Sequence, residues 1–133
     1  MIVQDDIQYR VRRLTPLECE RLQGFPDGWT DIGEWTDGKG RVRKLSDAPR
    51  YRALGNAIAL PYWSWMLRNM ADYLPEKATM GSLFDGIGGF DLCWAEIHGV
   101  KSVRWSSEIE EFPIAVVRAH FGDEEKGIVG DME

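Results

Sequence analysis

A chain of 133 residues with 44% hydrophobic and 29% charged residues has the material for one small globular core. No stretch approaches the roughly 18 apolar residues of a membrane span, and Met1–Asp6 lacks the basic-then-apolar opening of a secretory signal. Cys19 and Cys93 lie far apart without a metal-ligand pattern, so a reducing, cytoplasmic setting and no metal site are expected.

The net charge of -6 argues weakly against a dedicated nucleic-acid binder, but it is unevenly spread. Residues 1–78 carry 12 Lys/Arg against 11 Asp/Glu, and residues 79–133 carry 4 against 11. Within the first part, Lys39, Arg41, Arg43, Lys44, Arg50 and Arg52 face only Asp47 as a nearby opposing charge. Such a cluster suits phosphates, and a solvated loop explains it equally well.

In chain order, residues 7–13 alternate as a short strand or extended lead-in would. A helix follows: Thr15 as cap, Pro16 at the first helical position, Glu18 three residues past the cap, and Leu14 placed to staple the first turn. Gly24 and Pro26 end it. Residues 27–49 are rich in glycine, proline and charge, with Asp37-Gly38-Lys39-Gly40 as a turn, and predict a hairpin or a partly mobile loop. Trp29 and Trp35 flank the basic cluster and either pack on the loop's own helix or touch DNA. The apolar run Ala57–Leu74 predicts a helix with Trp63, Leu67, Met70 and Leu74 at helical spacing; Pro61 suits its first turn and Pro75 stops it.

After a junction at 76–80 comes a strand–helix alternation. Gly81–Phe84 reads as a strand, Asp85–Gly89 as a glycine-rich loop, Phe90–His98 as a helix, Val100–Ser106 as a strand and Phe112–Phe121 as a helix. Ile128-Val129 begins a third strand. The pattern predicts an α/β fold: an incomplete, Rossmann-like parallel sheet with flanking helices. Trp63, Trp65, Trp94 and Trp105 are expected in the core or a latent interface, and His98 and His120 at helix ends without a special role.

The chemical signal concentrates in Phe84-Asp85-Gly86-Ile87-Gly88-Gly89. Glycines after a strand permit a tight turn and close ligand approach, and the helix start that follows favours an anionic group. A tight structural turn is the alternative. The spacing is neither a dinucleotide fingerprint nor a P-loop. Glu108 stands about twenty residues on, at the end of the second strand, where a carboxylate can accept from ribose hydroxyls; Ile109 beside it can press on an adenine. Glu110 and Glu111 are acidic too, as helix starts generally favour. Asp131 would lie on the same sheet edge and accept from an adenine amino group.

Together these segments resemble the DNA (cytosine-5)-methyltransferase family. Residues 83–90 resemble its S-adenosylmethionine loop, Ser107-Glu108-Ile109-Glu110 its second motif, and Gly130-Asp131-Met132 its Gly-Asp-Ile. Residues 13–26 (Arg-Leu-Thr-Pro-Leu-Glu-Cys-Glu-Arg-Leu-Gln-Gly-Phe-Pro) match its ninth motif, and 54–61 (Leu-Gly-Asn-Ala-Ile-Ala-Leu-Pro) its tenth. The resemblance implies an S-adenosyl-L-methionine pocket, with Asn56 and Ala57 near the methionine portion. It also implies DNA as partner of the complete enzyme and methyl transfer to carbon 5 of cytosine.

The motif order is permuted, the last motifs (1–78) preceding the first (79–133), with Leu74–Thr79 as the new connection and Met80 a relic of an ordinary start. Compact domains tolerate this when the old ends lie close. The family's Pro-Cys nucleophile, Glu-Asn-Val motif and target-recognition domain are absent from these 133 residues, and neither Cys19 nor Cys93 replaces the nucleophile. The expectation is therefore a chain inactive alone: a fragment, a subunit completed by another chain, or a non-catalytic relic. The open edge of an incomplete sheet further predicts self-association or a complementary chain.

Overall fold

The computed structural model describes residues 9–122 and the backbone of residues 127–129. The elements are helix α1 (Pro16–Gln23), a hairpin of β1 (Trp35–Thr36) and β2 (Val42–Arg43), helices α2 (Asp47–Asn56) and α3 (Leu60–Ala71), then β3 (Met80–Leu83), α4 (Gly89–His98), β4 (Val103–Ser107), α5 (Glu111–Phe121) and β5 (Gly127–Val129).

The start of α1 is built by its caps. The Thr15 hydroxyl accepts from the Glu18 amide at 3.3 Å and the Glu18 carboxylate accepts from the Thr15 amide at 2.8 Å, satisfying two donors that a helix start leaves open. Gly24 closes the helix in the left-handed region. Leu14 is no staple: it is exposed, and its carbonyl accepts from the Tyr51 hydroxyl at 2.6 Å. The described part of the lead-in, residues 9–13, forms no strand.

Residues 27–49 do contain a hairpin, paired Trp35 with Arg43 and Thr36 with Val42. They also contain the start of α2, which the sequence pattern did not announce. The single helix expected over Ala57–Leu74 is shorter: Ala57 ends α2, and α3 begins at Leu60 with Pro61 in its first turn. Val100–Ser102 form a 3-10 turn, so β4 starts at Val103.

The parallel sheet has the order β3-β4-β5, with Gly81 opposite Trp105, Leu83 opposite Ser107, and Ser107 opposite Val129. Each parallel step needs a crossover, and α4 and α5 provide them. The two halves of the chain share one core: Phe25, Trp29, Leu54 and Leu60 cluster with Ile87, Trp94, Val103, Val116 and Val117. Of the other tryptophans, Trp63 is partly buried against this core, whereas Trp65 and Trp105 are exposed.

Candidate functional site

At the end of β3 the chain turns through residues that few side chains tolerate. Phe84 has φ +53, a left-handed conformation rare for a bulky residue, and its ring is 85% exposed. Asp85 is buried; its amide donates to the Ser107 carbonyl at 3.0 Å, tying the loop to β4, and its carboxylate accepts from the Ser82 hydroxyl at 2.7 Å. Gly88 caps α4 at φ +79, and a Cβ there would sit 3.2 Å from both Val117 and Phe121. A Cβ on Gly89 would lie 2.8 Å from Leu60 Cδ2 and 3.2 Å from the Phe25 ring. This glycine lets α4 close against the first half of the chain.

Glu108, just past β4, reaches back to the loop. Its Oε2 accepts from the Gly86 amide at 2.7 Å, and its Oε1 from the amides of Ile109 at 2.7 Å and Glu110 at 2.9 Å. A carboxylate has about four acceptor positions, so one on Oε2 remains for a ligand. Ile109 is 68% exposed beside it.

The first half of the chain supplies the opposite wall. An open cleft of about 710 Å³ runs between α2 and the β4–α5 turn, lined by Trp35, Arg52, Asn56, Gly86, Glu108 and Ile109 among others. A notch of about 90 Å³ adjoins it, sharing Asn56 and Gly86 and adding Ala57, Phe84, Asp85, Ile87 and Gly89. The structure thus brings Phe84, Asp85, Gly86, Ile87, Gly89, Glu108, Ile109, Asn56 and Ala57 to one place. Gly88 lines neither recess and faces α5. Asp131 lies outside the described residues.

The model of the C-5 cytosine-specific DNA methylase family matches residues 3–71, just over half of the chain. The chain belongs to that family. Similar proteins include a DNA N-6-adenine-methyltransferase of Escherichia phage P1, 40% identical over 42% of this chain and 10% of its own length. The DNA (cytosine-5)-methyltransferase DRM2 of Oryza sativa subsp. japonica is 32% identical over 62% of this chain and 12% of its own. DRM1 of Arabidopsis thaliana, also a DNA (cytosine-5)-methyltransferase, is 27% identical over 91% of this chain and 18% of its own. The chain thus spans between a tenth and a fifth of the length of these curated relatives.

In this DNA methylase chain neither cysteine borders the cleft. Cys93 is buried on α4, its thiol 3.8 Å from the Leu60 carbonyl; burial, and then the charge of Glu96, raises its pKa to about 11. A thiol in that state is a poor nucleophile at neutral pH. Cys19 sits half-buried on α1 against the core.

Several residues take on roles that sequence reasoning missed. Trp29 is buried rather than available to DNA, and it packs beyond its own loop. Its indole N–H donates to the Ile87 carbonyl at 2.7 Å, and its ring stacks on His120 with centroids 3.7 Å apart. His120 is thereby a structural contact, its Nε2 lying 2.7 Å from the Trp29 carbonyl. Trp35 meets Phe112 edge-on and forms part of the cleft wall.

The basic cluster also has more opposing charge than its local sequence shows. Asp37, just outside it, is buried and binds Arg41 at 2.8 Å and Arg43 at 2.9 Å. The Arg41 amide, against the cost of burial, and then the arginine side chains hold the Asp37 carboxyl well below its usual range. Arg50 reaches buried Glu20 at 3.4 Å, and Arg52 pairs with Glu110 across the cleft. No spacing rule reveals these partners, because all but Asp37 are distant in sequence. Among the described residues, no group of three or more His, Cys, Asp or Glu is placed to hold a metal ion, and no helix is long and apolar enough to cross a membrane.

Proposed function

We propose that this chain is the S-adenosylmethionine-binding portion of a DNA (cytosine-5)-methyltransferase, and that it does not complete methyl transfer by itself. The carrying observation is the convergence of the glycine loop, Glu108 and the Asn56–Ala57 pair on one cleft from opposite ends of the chain. The cleft volume falls within the roughly 300–1,000 Å³ of small-molecule sites. The donor set fits the cofactor: an unfilled acceptor position on Glu108 for a ribose hydroxyl, exposed Ile109 for the adenine face, and the N-terminus of α4 for the carboxylate. Asn56 and Ala57 then flank the methionine portion and Asp131 accepts from the adenine amino group. Bound there, S-adenosylmethionine supplies the methyl group destined for carbon 5 of cytosine.

The reading that the chain is inactive alone rests on its two cysteines, neither of which borders the cleft. Residues 1–78 then act as the ninth- and tenth-motif segment and 79–133 as the first-to-third-motif segment, in permuted order, with Leu74–Thr79 joining them. Similarity to DRM1 across 91% of the chain in one alignment supports a shared order. DNA engages the complete enzyme, and Lys39 and Lys44 of the basic cluster are exposed to meet its phosphates.

Among the described residues β3 pairs on one side only, which favours a second reading in which the chain is an interaction subunit completed by another chain. Calorimetric titration with S-adenosylmethionine tests the main reading. Saturable binding is expected, weakened about tenfold or more in Glu108→Ala and Asp131→Ala, as loss of a charge-assisted hydrogen bond implies. A folded wild type that binds no cofactor ends that reading.

A further inference from the structure

The two walls of the cleft come from opposite ends of the chain, and an ion pair ties them at the rim. The floor is closed by buried Ala53, Phe112 and Pro113. On one wall Arg52 and Asn56 stand one turn apart on α2, so they share the helix face that lines the cleft. On the other wall Glu108, Ile109 and Glu110 are consecutive residues of the β4–α5 turn. The Arg52 guanidinium meets the Glu110 carboxylate across the gap, with side chains 68% and 41% exposed, which puts the bridge at the rim. A second, longer link runs from the Gly38 amide to Glu111 Oε1 at 3.3 Å.

Helix α2 is otherwise fastened by polar bonds to its own half of the chain. Gln23 donates to the Leu54 carbonyl, Tyr51 to the Leu14 carbonyl, and Arg50 pairs with Glu20. Arg52 runs the other way, to the half that carries Glu108. The residue it grips is coupled to the site, because the Glu110 amide donates to Glu108 Oε1 at 2.9 Å. Holding Glu110 therefore holds the turn that presents Glu108 and Ile109. The pairing also withdraws Arg52 from the basic cluster that could meet phosphates.

We propose that Arg52 is a positioning residue for the cofactor, a role that rests on the cofactor reading of the cleft. Through Glu110 it sets the width of the cleft, keeping Glu108 and Ile109 on one wall within a cofactor's span of Asn56 on the other. An exposed ion pair contributes little to global stability and is screened by salt. Its effect is local, on cofactor affinity, and requires opposite charges at the two positions rather than arginine at one of them.

Calorimetric titration of the full chain with S-adenosylmethionine at low salt tests this. Arg52→Glu sets two carboxylates against each other and raises Kd about fivefold, the upper reach of an exposed pair. Glu110→Gln removes the attraction without adding repulsion, raises Kd about threefold, and carries the test should Arg52→Glu fail to fold. The exchanged pair Arg52→Glu/Glu110→Arg returns Kd to within about twofold of wild type, while melting temperatures stay together. Added salt narrows the gap between wild type and Glu110→Gln. A wild type that binds while both single variants bind equally well, or an exchanged pair as weak as Arg52→Glu, overturns the positioning role alone. A folded wild type that binds no cofactor overturns the cofactor reading and this role with it.

Discussion

Ahead of Pro75 the chain fixes its loops with side chains, whereas behind it the loops are fixed mainly by backbone geometry. In the first region Glu20, fully buried, accepts from the amides of Gly28 and Thr30 and from the Thr30 hydroxyl at 2.5–2.9 Å. Asp37 does the same for the hairpin turn, taking the amides of Lys39 and Arg41. In the second region the parallel ladder, the Asp85-to-Ser107 backbone bond and the left-handed Gly88 do that work. The contrast sets their weaknesses. A region held by carboxylates is vulnerable to protons, and one held by glycine conformation is vulnerable to a methyl group.

The largest effect is expected where the two regions meet. Trp29→Ala removes a buried ring and a donor to the glycine loop, and loss of a buried tryptophan costs about 3–5 kcal/mol. Trp29→Phe keeps most of the ring and drops only the N–H, leaving the Ile87 carbonyl unpaired at about 1–3 kcal/mol. Urea denaturation separates the two. Equal losses would mean that packing alone joins the regions. Next comes Gly88→Ala, whose left-handed backbone and close approach to Val117 and Phe121 predict about 2 kcal/mol. A neutral outcome there would remove conformation as the second region's fastening.

What was legible in the sequence follows the same division. The start of α1 was readable because its signals are local: Thr15, Pro16, Glu18 and Gly24 each sit within one turn of the group they satisfy. The glycine loop, the strand before it and the helix after it were readable for the same reason. Helix α2 was not, since only Ala53 and Leu54 of it are buried and its arginines find Glu20 and Glu110 far along the chain. Trp29 was misplaced because its partners, Ile87 and His120, are 58 and 91 residues away. Most residues of the expected cofactor loop do meet at the cleft, whereas Gly88 faces α5, and no local signal revealed that backbone amides would already occupy most of the Glu108 carboxylate.

Acid should separate the regions more gently. The Arg12 guanidinium, and then the Thr15 amide, hold the Glu18 carboxyl at about 2. Glu20 is also lowered: burial pushes it up, but hydrogen bonds from Thr30 and Gly28 and the Arg50 charge outweigh that. Asp27 is lowered chiefly by Arg21. A carboxyl depressed in the folded state contributes stability that is complete above its unfolded value, about 4.3 for Glu, and is lost as pH falls through the folded one. Between about pH 4.5 and 2 the amides of residues 15–30 should therefore lose exchange protection before those of β3 and β4. Thr15→Ala, which breaks the capping box, should cost about 1 kcal/mol at neutral pH. Simultaneous loss across both regions in acid would erase the distinction drawn here.

The smallest global effect is expected at Glu108, a side chain that helps to fix a loop of the second region. Glu108 holds the Gly86 amide through Oε2 while Oε1 holds two amides of its own turn. Glu108→Ala leaves the core intact, so the melting temperature should move little. The Gly86 amide, however, loses its acceptor, and its hydrogen exchange in the cofactor-free chain should accelerate about tenfold, in line with a charge-assisted bond worth about 1.5 kcal/mol or more. Ile109→Ala, which removes the neighbouring exposed side chain without touching the carboxylate, should leave that exchange rate unchanged. If Glu108→Ala weakens S-adenosylmethionine binding without altering Gly86 exchange, the carboxylate acts on the ligand alone. If exchange accelerates as well, Glu108 shapes the loop before the ligand arrives, and the second region uses at this residue the kind of fastening found in the first.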